Sequence, residues 1–251
     1  MSESKLLANE KEIVVPGEKI ASGMSFIPGY GTYRSSEDII ASTMGIVRVE
    51  GKVIKLVSLS GNYLPKTGDV IIGKITDVNL SAWNVDTNSA YVAMLSIKDA
   101  TSDFIRKGDD LTKYFDIGDY IVTKIFNVTT QNLVDVTMKG PGLRKLIGGR
   151  IIKVNPNKVP RIIGKQGSMV SMIKNVTNCQ IIVGQNGLIW IKGEPQNEIM
   201  AVSAIKKIET ESHMSGLTDR IKEFIGAPDT QEMPPSQTQD EGNGENGDNH
   251  E

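Results

Sequence analysis

The spacing of apolar residues changes period once along this chain, and that change constrains the fold more than any other feature. Up to about residue 140 they fall in short β-type runs broken by Gly, Pro, Asn and Asp, as in Ile13-Val-Val-Pro-Gly17, Gly45-Ile-Val-Arg-Val49 and Val53-Ile-Lys-Leu-Val57. Short strands at this spacing build small sheets or barrels. After residue 168 the period becomes helical. Met169, Val170, Met172, Ile173 and Val176 share one helical face, and a second helix opening near Pro195 groups Ile199, Val202, Ile205 and Ile208. The expected architecture is multidomain, β in its first part and α+β in its second.

At 251 residues the chain has room for two or three domains. Its net charge of −2 hides a strong asymmetry. Residues 1–138 carry 14 Lys and Arg against 17 Asp and Glu, residues 139–226 carry 14 against 6, and residues 227–251 carry none against 7. A segment of net +8 between two acidic ones points to a polyanion-binding module. The final 25 residues have three prolines, no aromatic residue and the run Glu241-Gly-Asn-Gly-Glu-Asn-Gly-Asp248, so they read as a disordered acidic tail. Cys179 is the single cysteine and has no internal partner, while two histidines leave almost no material for a zinc site. No leading signal and no run of about 18 apolar residues is present, so the expectation is a cytoplasmic protein without a membrane partner.

An internal echo organises the middle of the chain. Residues 67–79, TGDVIIGKITDVN, and residues 117–129, IGDYIVTKIFNVT, are identical at six of thirteen positions. Two copies are too few for a solenoid, so they read as two similar strands of one barrel, each entered through a Gly-Asp turn. Five strands are expected, at Asp69–Val78, Ala82–Asp86, Ala90–Leu95, Asp119–Val128 and Leu133–Met138. Five strands in about 70 residues is the size of an OB-type barrel, whose strand 2–3 face commonly binds single-stranded nucleic acid. Through Gly68-Asp69-Val70, Gly73-Lys74-Ile75, Trp83, Val85-Asp86, Ala93-Met94-Leu95, Gly118-Asp119, Lys124 and Val136-Thr137 the stretch resembles the S1 RNA-binding family. Trp83 and Tyr91 are candidates for stacking on bases, with barrel packing as the plain alternative. Lys74, Arg106, Lys107 and Lys124 are candidates for phosphate contact, although Asp99, Asp103, Asp109 and Asp110 crowd the loop that holds two of them.

The strongest chemical signal is Arg161-Ile-Ile-Gly-Lys-Gln-Gly-Ser168, followed at once by the helix from Met169. Glycines at both ends of such a bend carry no Cβ to obstruct a ribose-phosphate strand, and the amides opening the next helix face it with partial positive charge. Lys165 adds a full charge. The bend lies after the strand Arg150–Val154 and before helix, strand, strand and helix. That β-α-α-β-β-α order over about 65 residues resembles a eukaryotic-type KH domain. The candidate RNA-binding residues are Arg161, Ile163, Gly164, Lys165, Gln166 and Gly167. No G-x-x-x-x-G-K-[ST] and no strand-linked G-x-G-x-x-G is present, and Ser168 and Ser171 lack His–Asp partners.

Taken together, these segments resemble the RNA-binding cap subunits of the archaeal exosome, the S1–KH type of the ribosomal-RNA-processing protein four family, over roughly residues 10–225. Further residues that fit are Val14-Val15-Pro16-Gly17-Glu18, the Gly29-Tyr-Gly-Thr32 turn, Tyr63-Leu-Pro-Lys-Thr-Gly-Asp69, and Gly184-Gln-Asn-Gly187 leading into Leu188-Ile-Trp-Ile191. The resemblance implies a non-catalytic subunit without cofactor or metal. It would sit in three copies, alone or mixed with another cap subunit, on a hexameric ring of RNase PH-like subunits. It would capture single-stranded RNA 3′ ends, adenine-rich tails among them, for phosphorolysis by the ring. The implied divisions are residues 1–64 for ring docking, 65–140 for S1, 141–226 for KH and 227–251 for the tail. The resemblance also implies that the Gly184–Gly187 turn braces KH against S1. The rival reading is a free-standing S1–KH protein acting in translation or RNA stability.

Overall fold

The computed structural model describes residues 5–59, 61–101, 110–212, 214 and 216–226. The expected tail lies outside the described residues. The first part is β throughout, with β1 (Lys5–Leu6), β2 (Ile13–Val14), β3 (Lys19–Ser22), β4 (Ile27–Pro28), β5 (Thr32–Ser35), β6 (Asp38–Ala41), β7 (Gly45–Glu50) and β8 (Val53–Ser58). They form two four-stranded sheets, ordered β1-β3-β6-β5 and β2-β7-β8-β4. Alternation sends Val14, Ile20, Ile39, Val47, Ile54 and Leu56 into a shared core. The opposite parity leaves Ile13 and Val15 exposed, and Met24 stands exposed in the turn after β3.

The barrel follows as β9 (Val70–Val78), β10 (Ala82–Asp86), β11 (Val92–Ser96), the short α1 (Ile97–Ala100), β12 (Tyr120–Val128) and β13 (Val134–Thr137). Closure comes from β13, which pairs in parallel with β11 and antiparallel with β12. The echoed segments are β9 and β12, and they pair with each other antiparallel, Ile72 opposite Val122. Their Gly-Asp turns make equivalent bonds. Gly68 N–H donates to Ile125 O and Gly118 N–H to Ile75 O, each at 2.8 Å. A sixth strand, β14 (Arg144–Leu146), extends the sheet beside β12. It lies within the segment that the sequence assigned to the KH unit, whose own sheet begins only at residue 150.

The last part has the expected order, with β15 (Arg150–Lys153), α2 (Val159–Ile163), α3 (Ser168–Thr177), β16 (Gln180–Val183), β17 (Leu188–Lys192) and α4 (Pro195–Glu211). The antiparallel sheet β15-β17-β16 carries the helices on one face. On α4 the buried face is Ala201, Ala204, Ile205 and Ile208, whereas Ile199 is 57% exposed. The small alanines let α4 lie close to the sheet, so the stripe is rotated from the one drawn through branched residues alone. A helix that the sequence pattern did not reveal, α5 (Leu217–Ile225), adds Leu217, Ile221 and Ile225 to the core. Cys179 is buried there as a small apolar residue.

Barrel and KH unit are joined by a dedicated interface. Ile72 and Val122 on the outer face of β9 and β12 pack with Leu146, Leu188 and Trp190. Each such side chain contributes about 1.5–3 kcal/mol on burial, which holds the two units together without fixing their register. Register comes from the Gly184–Gly187 turn. Asn186 is fully buried, and its Nδ2 donates to Ile72 O at 2.7 Å and to Thr87 O at 2.8 Å, while its Oδ1 accepts from Ile72 N at 3.3 Å. Gln185 N–H donates to Val70 O at 3.0 Å, and Asn88 Nδ2 to Asn186 O at 2.9 Å. Asn186→Ala therefore strands backbone groups of Ile72 and Thr87 without partners. The expected loss in urea unfolding is about 2–4 kcal/mol, and a loss under about 0.5 kcal/mol would show that apolar contact alone holds the junction.

Candidate nucleic-acid interface

The bend between α2 and α3 is open to solvent. Lys165 and Gln166 are exposed, Gly164 and Gly167 half-buried, and Arg161 on α2 is exposed as well. Three departures from helical geometry shape it, with Gly164 at φ 76°, Gln166 at φ 54° and Gly167 at φ 80°. The two glycines are required for different reasons. A Cβ on Gly164 would lie 2.7 Å from Met169 Cβ and 2.8 Å from Met169 N, so the bend folds back onto its own following helix there. A Cβ on Gly167 meets nothing within 4 Å, and its glycine is set by the left-handed φ alone. Gly167 also serves as the N-cap of the ten-residue α3, with no side chain capping the helix. Ser168 N–H, the first amide of α3, donates to Lys165 O, and the amides that follow have no side-chain cap, a favourable seat for a phosphate. Ile163 is partly buried against the KH core and lines the cleft beside the bend.

The barrel candidates fare differently. Trp83 is wholly buried. Its indole Nε1–H donates to Phe115 O at 2.9 Å and its ring meets Phe115 edge-on with centroids 5.4 Å apart. It is barrel core and offers no face to a base, which corrects the stacking role. The reason is parity, since Trp83 and Val85 point inward while Asn84 and Asp86 point out. Tyr91 lies one residue before β11, partly buried and packed on the same core. The outer face of β10 and β11 carries Asn84, Asp86, Val92 and Met94, with Asp135 beside Met94 on β13. Among these five there is neither an aromatic ring nor a cation.

Lys74 and Lys124 are both exposed, but they stand on β9 and β12, at opposite ends of the face whose centre the KH unit covers. Lys74 Nζ lies 5.9 Å from the Tyr120 ring. Arg106 and Lys107 lie outside the described residues. The structure therefore gathers the KH candidates around one bend and does not bring Lys74, Trp83, Tyr91 or Lys124 to it.

Beside the bend lies a cleft of about 600 Å³. Its walls come from three parts of the chain, with Ile163 and Gly164 from the KH unit, Tyr63 and Asp69 from the entry to the barrel, and Tyr30 from the N-terminal sheets. Burial, followed by the neighbouring Asp69, pushes the Tyr63 hydroxyl far above its usual range. It therefore stays protonated and donates to Asp69 Oδ2 at 2.6 Å. Sequence reasoning named the motifs on each side of this cleft but not the cleft, because its walls are over 100 residues apart in the chain.

With this arrangement, a β domain followed by an S1-type barrel and a KH unit with an open Gly-x-x-Gly bend, the chain is of the S1–KH class of RNA-binding folds. Family models match in the same order. They are the exosome complex exonuclease RRP4 N-terminal region at residues 13–50, the RRP4 S1 domain at 62–107 and the KH domain at 149–197. Exosome complex component Rrp4 of Methanothermobacter thermautotrophicus is 43% identical over 88% of this chain and 70% of its own length. Its namesake in Thermococcus kodakarensis is 44% identical over 88% of this chain and 87% of its own. A crystal structure provisionally described as an exosome complex RNA-binding protein superposes with a TM-score of 0.60 at 39% identity, covering 66% of this chain and 96% of that one. The chain belongs to the archaeal family of exosome complex component Rrp4.

The geometry of the bend ranks its glycines. Gly164→Ala suffers both the close approach to Met169 and a φ/ψ pair that only glycine adopts readily, an expected loss of about 3 kcal/mol. Gly167→Ala meets only left-handed strain, about 1 kcal/mol. Chemical unfolding of the two variants checks the order.

Proposed function

We propose that this chain is a non-catalytic RNA-binding cap subunit of an archaeal exosome, capturing single-stranded RNA and passing its 3′ end to a phosphorolytic ring. The observation that carries this is the open, uncapped bend of Lys165 and Gln166 on a KH unit locked to an S1-type barrel, in a chain of the Rrp4 family. Phosphate contact through bare main chain, helix amides and Lys165 gives affinity that tolerates any sequence, which a degradation machine requires. The basic balance of residues 139–226 favours the same polyanion.

Docking on a hexameric ring of RNase PH-like subunits is assigned to the N-terminal domain, with three copies around the pore, alone or mixed with another cap subunit. The exposed apolar Ile13, Val15, Met24, Ile27 and Met44 of that domain support it. A protein-binding surface with an apolar centre is what such docking needs. The compartment fitting this role is the cytoplasm, and adenine-rich 3′ tails are suitable substrates for a sequence-tolerant site.

Three outcomes test the reading. Lys165→Asp combined with Gln166→Asp should weaken oligoribonucleotide binding at least tenfold at moderate salt while thermal unfolding is unchanged, and equal affinity would remove the bend from the function. Met24→Asp with Ile13→Asp should abolish co-purification with RNase PH-like subunits from an archaeal lysate, whereas retention would move the docking surface elsewhere. Purified protein incubated with RNA and either phosphate or Mg²⁺ should yield no shortened products.

A further inference from the structure

The Gly29-Tyr-Gly-Thr32 turn is built more rigidly than a surface turn needs to be. Gly29 N–H donates to Ile54 O and Leu56 N–H to Tyr30 O, each at 2.8 Å, and Thr32 Oγ1 donates toward Gly29 O and Ile54 O, each at 3.0 Å. Both glycines are pressed against β8. A Cβ on Gly29 would come 2.9 Å from Val53 Cγ1, and one on Gly31, at φ 78°, would come 2.9 Å from Leu56 Cβ. The turn is thus pinned on either side of Tyr30, a residue that remains 47% exposed and lines the cleft that ends at Ile163 and Gly164. Lys66 Nζ sits 4.9 Å from the centroid of that ring. Asp69 is the one acid among the described lining residues, and its carboxylate already accepts the Tyr63 hydroxyl.

We propose that Tyr30 and Lys66 form a second RNA subsite, in which Tyr30 stacks on a base and Lys66 meets the adjoining phosphate of the strand that crosses the Lys165–Gln166 bend. The inference rests on the RNA-binding reading and extends it to the N-terminal domain, which that reading used only for docking. Single-stranded RNA is the occupant that fits. The cleft is continuous with the bend, it supplies an aromatic face with a cation over it, and its acid is engaged. Aromatic stacking beside a cation is the means by which proteins hold single strands without reading sequence. An exposed ring on a pinned turn also loses little freedom when a base arrives.

The test uses the full chain and two oligoribonucleotides, one of about four nucleotides that fills only the bend and one long enough to continue along the cleft. Wild-type protein should bind the longer RNA more tightly. Tyr30→Ala should cost about fivefold or more on the longer RNA and nothing on the shorter one, with Tyr30→Phe restoring affinity. Lys66→Ala should lower the salt slope of the longer complex by about 0.7. Because Tyr30→Ala could loosen the turn, ultraviolet crosslinking of 4-thiouridine RNA to the wild-type protein provides an independent readout, and a recovered peptide containing Tyr30 supports the subsite. Undiminished binding of the longer RNA by Tyr30→Ala, while Lys165→Asp with Gln166→Asp binds weakly, would overturn the subsite and leave the bend intact. A cleft that captures a protein partner in place of RNA would give that result. Absence of wild-type binding to either RNA would overturn both readings.

Discussion

The arrangement of this molecule depends on one buried amide. Asn186 reaches from the KH turn into the barrel and satisfies backbone groups at Ile72 and Thr87 that closure of the barrel alone leaves open. Apolar packing around Trp190 supplies more energy, but a slab of Ile, Val and Leu tolerates sliding. A carboxamide with three partners does not, because any shift leaves buried polar atoms unpaired at about 1–3 kcal/mol each. The orientation of the bend relative to the barrel is therefore set far from the bend itself. The cleft between Tyr63 and Gly164 depends on that orientation, since its two walls stand on the barrel entry and on the KH unit.

The structure also redistributes the chemistry between the two RNA-type modules. The barrel face that OB-type folds commonly use bears Asn84, Asp86, Val92 and Met94, a surface with nothing to stack on a base and no charge to attract a phosphate. The face carrying Lys74 and Lys124 is largely occupied by the neighbouring unit. The KH bend has the reverse character, with bare main chain, a helix start that no side chain caps and an exposed Lys165. Among the described residues, the features suited to a phosphate gather at the bend and not on that barrel face.

Much of this was legible in the residues, and the exceptions have physical causes. Strand and helix positions followed from period, and the pairing of β9 with β12 from their echo, since equivalent Gly-Asp turns serve both ends of one antiparallel pair. The inward direction of Trp83 was recoverable too, because Val85 shares its parity while Asn84 and Asp86 are polar. The α5 helix escaped notice because Leu217, Ile221 and Ile225 form a stripe one residue wide, bounded by Gly216 and Gly226. Ile199 was misplaced since alanines, weak in any apolar pattern, define the buried side of α4. Neither the partners of Asn186 nor the cleft at Tyr30 has a local signature, as both arise from segments about a hundred residues apart.

The passage from barrel to KH unit has mechanical consequences. Between β14 and β15 only Ile147, Gly148 and Gly149 intervene, a tether of at most about 10 Å. Even these are fastened, Ile147 O accepting from Lys192 Nζ and Gly148 O from the Trp190 indole. Such a coupling has no slack to act as a pivot. Thermal agitation would swing the two modules as a single stiff body, with little relative rotation at this joint.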